Sequence, residues 1–110
     1  MLRTRLCLIA TAALLSVPLM AYAQQPSPAD PQFKAAMDKM HQSMEMATNA
    51  DPAVSYAKKM IVHHQGALEM SEAVLQHTQD PTIREIAQKT MQEQKKDIQD
   101  LQKFVDKKGR

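Results

Sequence analysis

Apolar residues recur at spacings of three and four along most of the chain, which is the periodicity of amphipathic α-helices. Three Asp-Pro pairs precede these stretches: Asp30-Pro31, Asp51-Pro52 and Asp80-Pro81. An aspartate N-cap accepts hydrogen bonds from the free amides of the first turn, and the proline after it gives up only an amide that has no partner there. The pattern therefore predicts three helices, over residues 31–48, 52–78 and 81–107.

The connections between these predicted helices are very short, so consecutive helices are expected to be antiparallel neighbours. No stretch of alternating apolar and polar residues is bounded by turn residues, and no strand is predicted. The expected fold is all-α, an antiparallel up-down-up bundle of three helices. Whether dimerisation completes a larger bundle is left open, because four-helix arrangements are common for such folds.

The first 23 residues have the features of a secretory signal peptide. Two arginines precede an apolar run over residues 6–20, which is short for a membrane span, and Ala21-Tyr22-Ala23 forms an A-x-A cleavage site. We therefore expect export and a processed chain of 110 − 23 = 87 residues, with an uncleaved anchor as the alternative. Residues 24–30 are polar and proline-rich and are predicted to form a flexible lead to a helical domain at 31–110.

Processing would change both the cysteine content and the charge of the chain. Cys7 is the only cysteine, so the processed chain would hold neither a disulfide nor a thiolate metal site. Removing Arg3 and Arg5 would lower the 14 basic residues to 12, equal to the 12 acidic residues. A neutral chain with interspersed charges gives no support to nucleic-acid or membrane-surface binding.

Methionine and histidine are concentrated on the first two predicted helices. The candidate ligands on the first helix are Met37, Met40, His41 and Met44, and those on the second are Met60, His63 and His64. Methionines at helical spacing are more often flexible core filler than metal ligands. Here, however, seven of the nine methionines fall within the processed chain, although leucine would fill a core with better-defined rotamers. This density indicates that thioether sulfur has a role of its own.

The donor types favour copper over zinc or iron. A zinc site normally uses cysteines or three histidines, and the helical HExxH motif is absent. A di-iron site needs paired Glu-x-x-His motifs, and the nearest approach is a single Asp38-x-x-His41. Thioethers select Cu(I), and imidazole also holds Cu(II). The sequence therefore predicts a copper site in which Cu(I) is preferred.

The central run Met60-Ile61-x-His63-His64-x-x-Ala67-Leu68-x-Met70 resembles the Met-Ile-x-His-His motif of the CopM-like family, domain of unknown function 305. The upstream methionine/histidine helix and the later Gln94-x-x-Asp97-Ile98 are also similar to members of that family. The resemblance implies a ferritin-like helical bundle that binds copper in the periplasm and contributes to copper tolerance. It nominates the same seven ligands and adds Met91. Leu101 and Phe104 depart from the family pattern, in which methionine and tryptophan are usual at these positions.

From these observations we expect a copper buffer or carrier, not an enzyme, that exchanges its metal with a copper-donor or acceptor protein. Two alternatives remain. A metal-free interaction module is one, because exposed methionines also suit adaptable binding surfaces. An oxidase of cuprous ion that uses His63 and His64 is the other. The sequence leaves open whether His77 and Met70 take part in metal binding.

Overall fold

A computed structural model describes residues 25–109, and the predicted signal peptide lies outside this range. The chain forms three helices, α1 (Asp30–Met46), α2 (Pro52–His77) and α3 (Pro81–Lys108), with no strand among the described residues. The predicted all-α helical bundle is therefore confirmed. Within residues 25–109, no helix combines the length and the apolar character needed to cross a membrane.

Two of the three predicted N-caps form as expected. The Asp51 carboxylate accepts from the Ala53 and Val54 amides at 2.8 and 3.4 Å, and the Asp80 carboxylate accepts from the Ile83 amide at 2.9 Å. These hydrogen bonds fix the start of α2 and of α3 at a proline.

The predicted cap at Asp30 is wrong, because α1 begins at Asp30 itself and its N-cap is Ala29. The Asp30 carboxylate turns back and accepts from the Ser27 amide at 2.7 Å and from the Ser27 hydroxyl at 3.0 Å. When an acidic residue follows a serine by three positions at the start of a helix, its carboxylate can accept a hydrogen bond from the serine's backbone amide. A competing turn at residues 27–30 therefore displaces the predicted boundary.

Helix α2 lies between the other two helices. Met40 of α1 packs on Gly66, whereas His64 faces Asp97 of α3. His64 and Gly66 are separated by roughly 200° around the α2 axis at about 100° per residue. Among the described helices, α1 and α3 have no Cα atoms within 8 Å of each other. The three antiparallel helices therefore form a flat layer, with α2 in the middle and open grooves along it.

The core of this layer is thin and built from small side chains. The buried apolar residues are Ala29, Ala36, Val54, Ala57, Ala73 and Ala87, and no side chain within residues 25–109 is both large and fully buried. Larger apolar side chains lie half-buried along the grooves beside α2. A single layer of helices cannot enclose bulky residues, since a second layer is what normally covers them.

Candidate metal centre

His63 and His64 are adjacent in sequence but face different helices. Their ring centroids are 6.0 Å apart, and the ring planes are inclined by 62°. His63 lines a cavity between α1 and α2, whereas His64 lines a groove between α2 and α3. One step along a helix rotates a side chain by about 100°. The histidine pair therefore belongs to two separate places, not to one site.

The cavity between α1 and α2 brings together three of the seven methionines found in residues 25–109. It has a volume of about 170 Å³ and is lined by Ala36, Met37, Met40, His63, Gly66, Ala67 and Met70. Two methionines come from α1, and His63 with Met70 comes from the facing side of α2. Three methionines and one histidine, contributed by two helices, thus line one small concave space.

Gly66 is the reason that Met40 can reach α2 so closely. A Cβ atom at Gly66 would lie 2.8 Å from the Met40 sulfur, 3.2 Å from its Cγ and 3.3 Å from its Cβ. Real Cβ atoms essentially never approach a sulfur atom at 2.8 Å. The missing side chain therefore forms a notch that seats the thioether of Met40 against the backbone of α2, beside His63 and Met70.

The candidate metal donors of this cavity differ in exposure. Met40 is half-buried and His63 is exposed, while Met37 and Met70 retain 42% and 36% of their accessible surface. A soft cation held here would therefore be reached from solvent on the side of Met37 and Met70. Such an open side permits ligand exchange without unfolding of the helices.

His64 occupies a different chemical environment. Its side chain is only 12% exposed, and its Nε2 lies 3.6 Å from the Asp97 carboxylate. Its Nδ1 is buried and has no hydrogen-bond partner among the described residues, and the same is true of the Gln94 side-chain oxygen. Buried polar atoms without partners destabilise a fold.

The groove beside His64 is larger, at about 430 Å³, and carries negative charge. It is lined by Tyr56, Met60, His64, Asp97, Asp100, Leu101 and Phe104. Lys96 donates a hydrogen bond to Asp100 at 2.8 Å, which lowers the pKa of the Asp100 carboxyl and raises the pKa of the Lys96 ammonium. Asp100 therefore stays ionised at the rim of the groove.

The eight predicted ligands fall into three groups. Met37, Met40 and His63 line the cavity between α1 and α2, while Met60 and His64 line the groove between α2 and α3. The remaining residues line neither space: His41 is exposed on α1, and Met44 and Met91 are half-buried on α1 and α3.

Two residues beyond the predicted ligands contribute to the cavity, and one residue left open does not. Met70 joins the predicted ligands, and Gly66 shapes the wall opposite Met40. A glycine within a helical pattern often marks a close approach of backbone, so Gly66 carried a usable signal. His77 instead lies at the end of α2, where its Nε2 is 3.1 Å from the Gln32 side-chain oxygen.

The side chains that line the cavity are soft donors. Across residues 25–109, no three histidine, cysteine, aspartate or glutamate side chains are arranged to hold a metal ion. The cavity offers three thioethers and one imidazole instead, and this soft set fits Cu(I) better than zinc, iron or a hard cation.

Fold and cavity together define a small all-α protein with a methionine-lined interhelical cavity. The family model described as domain of unknown function (DUF305) matches residues 16–105, which is most of the 110-residue chain. The chain therefore belongs to the DUF305 family. No curated protein matches the chain.

Proposed function

We propose that this member of the DUF305 family is an exported, CopM-like copper-binding protein that buffers or carries Cu(I). The observation that supports the proposal most strongly is the convergence of Met37, Met40, Met70 and His63 on one cavity between α1 and α2. Sulfur and imidazole are the donors that Cu(I) prefers. A layer with so little buried core would gain more packing from ordinary apolar side chains at these four positions than from three methionines and a histidine.

The geometry favours a buffer or carrier over an enzyme. Met40 is held in the notch at Gly66, whereas Met37 and Met70 are partly open to solvent. A protein that accepts and releases a cation benefits from such a combination, because an incoming donor can replace the exposed thioethers one at a time. Thioether sulfur does not titrate, so most of the ligand set would persist in acid, unlike a site of histidines alone.

A bound copper ion would also link α1 to α2, because its proposed donors come from both helices. The contact between these helices otherwise rests on small residues and on exposed polar pairs such as Lys39 with Glu69. A ligand that binds only the folded state stabilises that state by mass action. Loading with Cu(I) is therefore expected to raise the unfolding temperature.

The decisive experiment is a competition titration of the purified protein with a chromophoric cuprous chelator. Replacing Met40, Met37 or Met70 by leucine keeps the apolar volume but removes the sulfur. Each replacement is expected to weaken Cu(I) binding at least tenfold, which corresponds to about 1.4 kcal/mol. Met46→Leu is the matched control, because Met46 is 84% exposed and does not line the cavity.

The outcomes separate the candidate functions. Equal affinity in wild type and all the leucine variants would contradict the proposal and favour a metal-free interaction module. Catalytic turnover of cuprous ion, in place of stoichiometric binding, would favour the oxidase. Loss of affinity only in Met60→Leu and His64→Leu would move the site to the groove between α2 and α3.

The proposed location is the periplasm, where the protein would exchange copper with a donor or acceptor protein. Its support is the signal-peptide pattern of residues 1–23. Intact-mass measurement of the exported protein tests this, since cleavage after Ala23 leaves Gln24 as the first residue. An uncleaved mass would contradict it.

A further inference from the structure

Five of the six large apolar residues that are exposed within residues 25–109 lie on one side of the helical layer, and Met46 is the exception. Met37, Tyr56, Met70, Ile83 and Ile86 keep between 36% and 63% of their surface accessible. Met70 lines both the cavity between α1 and α2 and a neighbouring groove of about 220 Å³. Phe33, Val74, Ile83 and Ile86 also line this groove. All three helices thus contribute to one apolar face.

The middle of this face is a regular seam along α2. Its residues are Tyr56, Met60, His63, Ala67, Met70 and Val74, which follow one another at spacings of four, three, four, three and four. A 4-3 repeat is the pattern that packs a helix against another helix lengthwise. We use the name α2 seam for these six residues.

Neither neighbouring helix covers the α2 seam along its length. Helix α1 approaches α2 at Gly66, and α3 approaches it at His64, which lie on opposite sides of the helix. At about 100° per residue, His63 and Ala67 lie between these two directions. The exposure of Tyr56, His63 and Met70 agrees with this placement.

We infer that the α2 seam is the contact surface of a homodimer, in which a second copy of the chain packs α2 antiparallel on α2. The reason for choosing a second copy is that the seam is complementary to itself when reversed. With the two-fold axis beside residue 65, Tyr56 pairs with the partner's Val74, Met60 with the partner's Met70, and His63 with the partner's Ala67. Each pair places a larger side chain opposite a smaller one or joins two flexible thioethers.

Helix α3 is compatible with the same two-fold axis. His64 lies beside Asp97, and the Arg84 side chain binds the Leu75 carbonyl at 2.8 Å, so about residue 95 of α3 is level with residue 65. Rotation about this axis brings Ile86 opposite the partner's Phe104. Ile86 is 55% exposed in the single chain and Phe104 is half-buried, so both would gain cover.

The apolar area is sufficient for the centre of a stable interface. The five exposed residues together offer roughly 350–600 Å² if a fully exposed side chain of this size presents about 150–250 Å². A standard interface buries about 800 Å² on each partner, including its polar rim. The dimer would supply the second layer that the flat arrangement of helices lacks.

The inference does not rest on copper binding, although His63 and Met70 belong both to the seam and to the cavity. In the dimer Met70 would pack on the partner's Met60 and lose its access to solvent, so the stepwise ligand exchange proposed above would take place in the monomer. The proposed copper function and the dimer can therefore fail independently, because the first is measured by metal affinity and the second by mass in metal-free buffer.

The test is the mass of the full, metal-free protein in solution, measured by sedimentation or light scattering over a wide concentration range. Wild type is expected to be dimeric at micromolar concentrations. Tyr56→Lys and Ile86→Lys are expected to be monomeric with unchanged helical circular dichroism, because both residues are exposed in the single chain. Gln65→Lys is the control on the opposite face of α2 and should remain dimeric.

Cysteine cross-linking checks the register, in a Cys7→Ser background. A mixture of Tyr56→Cys and Val74→Cys chains should form a disulfide-linked heterodimer under mild oxidation. Neither variant alone should do so, since identical Tyr56 positions would be about 27 Å apart along the helices. A monomeric wild type would overturn the inference, as would dimers that survive both lysine substitutions or a Tyr56→Cys variant that cross-links with itself.

Discussion

Replacing Gly66 by alanine tests the notch that seats Met40 and, through it, the proposed copper site between α1 and α2. In an unobstructed helix this change stabilises a protein by about 1 kcal/mol, because alanine has the higher helix propensity. At Gly66 the new Cβ would come within 2.8 Å of the Met40 sulfur and within 3.3 Å of the Met40 Cβ. The sulfur can swing away, but the Cβ of Met40 cannot move unless α1 moves with it.

The two effects oppose each other. Overpacking of this kind costs about 1–3 kcal/mol, so the gain of about 1 kcal/mol in helix propensity leaves Gly66→Ala neutral to about 2 kcal/mol less stable. The displacement of the thioether should also weaken Cu(I) binding about as much as Met40→Leu does. The loss of metal affinity and any loss of stability would therefore have the same geometric cause.

Urea unfolding followed by circular dichroism measures the first effect, and chelator competition measures the second. In a Met40→Ala background the sulfur and the Cγ are gone and only the Cβ contact at 3.3 Å remains. Gly66→Ala should then be less destabilising than in the wild type, and at most stabilising by about 1 kcal/mol. Gly109→Ala is the matched control, because the nearest atom to its added Cβ is the Val105 carbonyl oxygen at 3.4 Å. A stabilising Gly66→Ala in the wild-type background, with full copper affinity, would refute the notch.

Two further substitutions test the interface between α2 and α3. His64→Leu removes a buried nitrogen that has no partner among the described residues, and urea unfolding should show a fold about 1 kcal/mol more stable. His63→Leu is the control at an exposed position and should change the free energy of unfolding by less than about 0.5 kcal/mol. Equal losses of stability in both variants would contradict this. Arg84→Met removes hydrogen bonds to the Leu75 and Thr78 carbonyls at 2.8 and 3.0 Å and should lower the free energy of unfolding by about 1–2 kcal/mol. Lys89→Met, at an exposed position, is the control and should leave it unchanged. An unchanged urea midpoint in Arg84→Met would show that these hydrogen bonds contribute nothing.

Much of the fold was predictable because its signals are local. The Asp-Pro pairs at residues 51–52 and 80–81 act within a single turn, and both mark the start of a helix as predicted. Asp30-Pro31 failed because Ser27 competes for the same carboxylate. That competition is also local, but residues 24–30 were predicted to be a flexible lead, so no turn was expected there.

The candidate ligands were predictable as a set but not as a site. Residue type and helical spacing identified Met37, Met40 and His63, which the structure brings together, and also His41 and Met44, which line neither candidate space. Met91, which only the family resemblance nominated, lines neither space either. Periodicity gives the direction of a side chain around its own helix. It does not give the direction of the neighbouring helix.

The sequence by itself determined three helices and their antiparallel order, because helix starts and short connections depend on residues that are close along the chain. It also determined which soft donors the chain contains. Only the tertiary structure decided that α1 and α3 lie on opposite sides of α2, and this separates His63 from His64. That choice depends on where two helices can approach closely. Here the missing side chain of Gly66 permits the approach, and Met40 occupies the space it leaves.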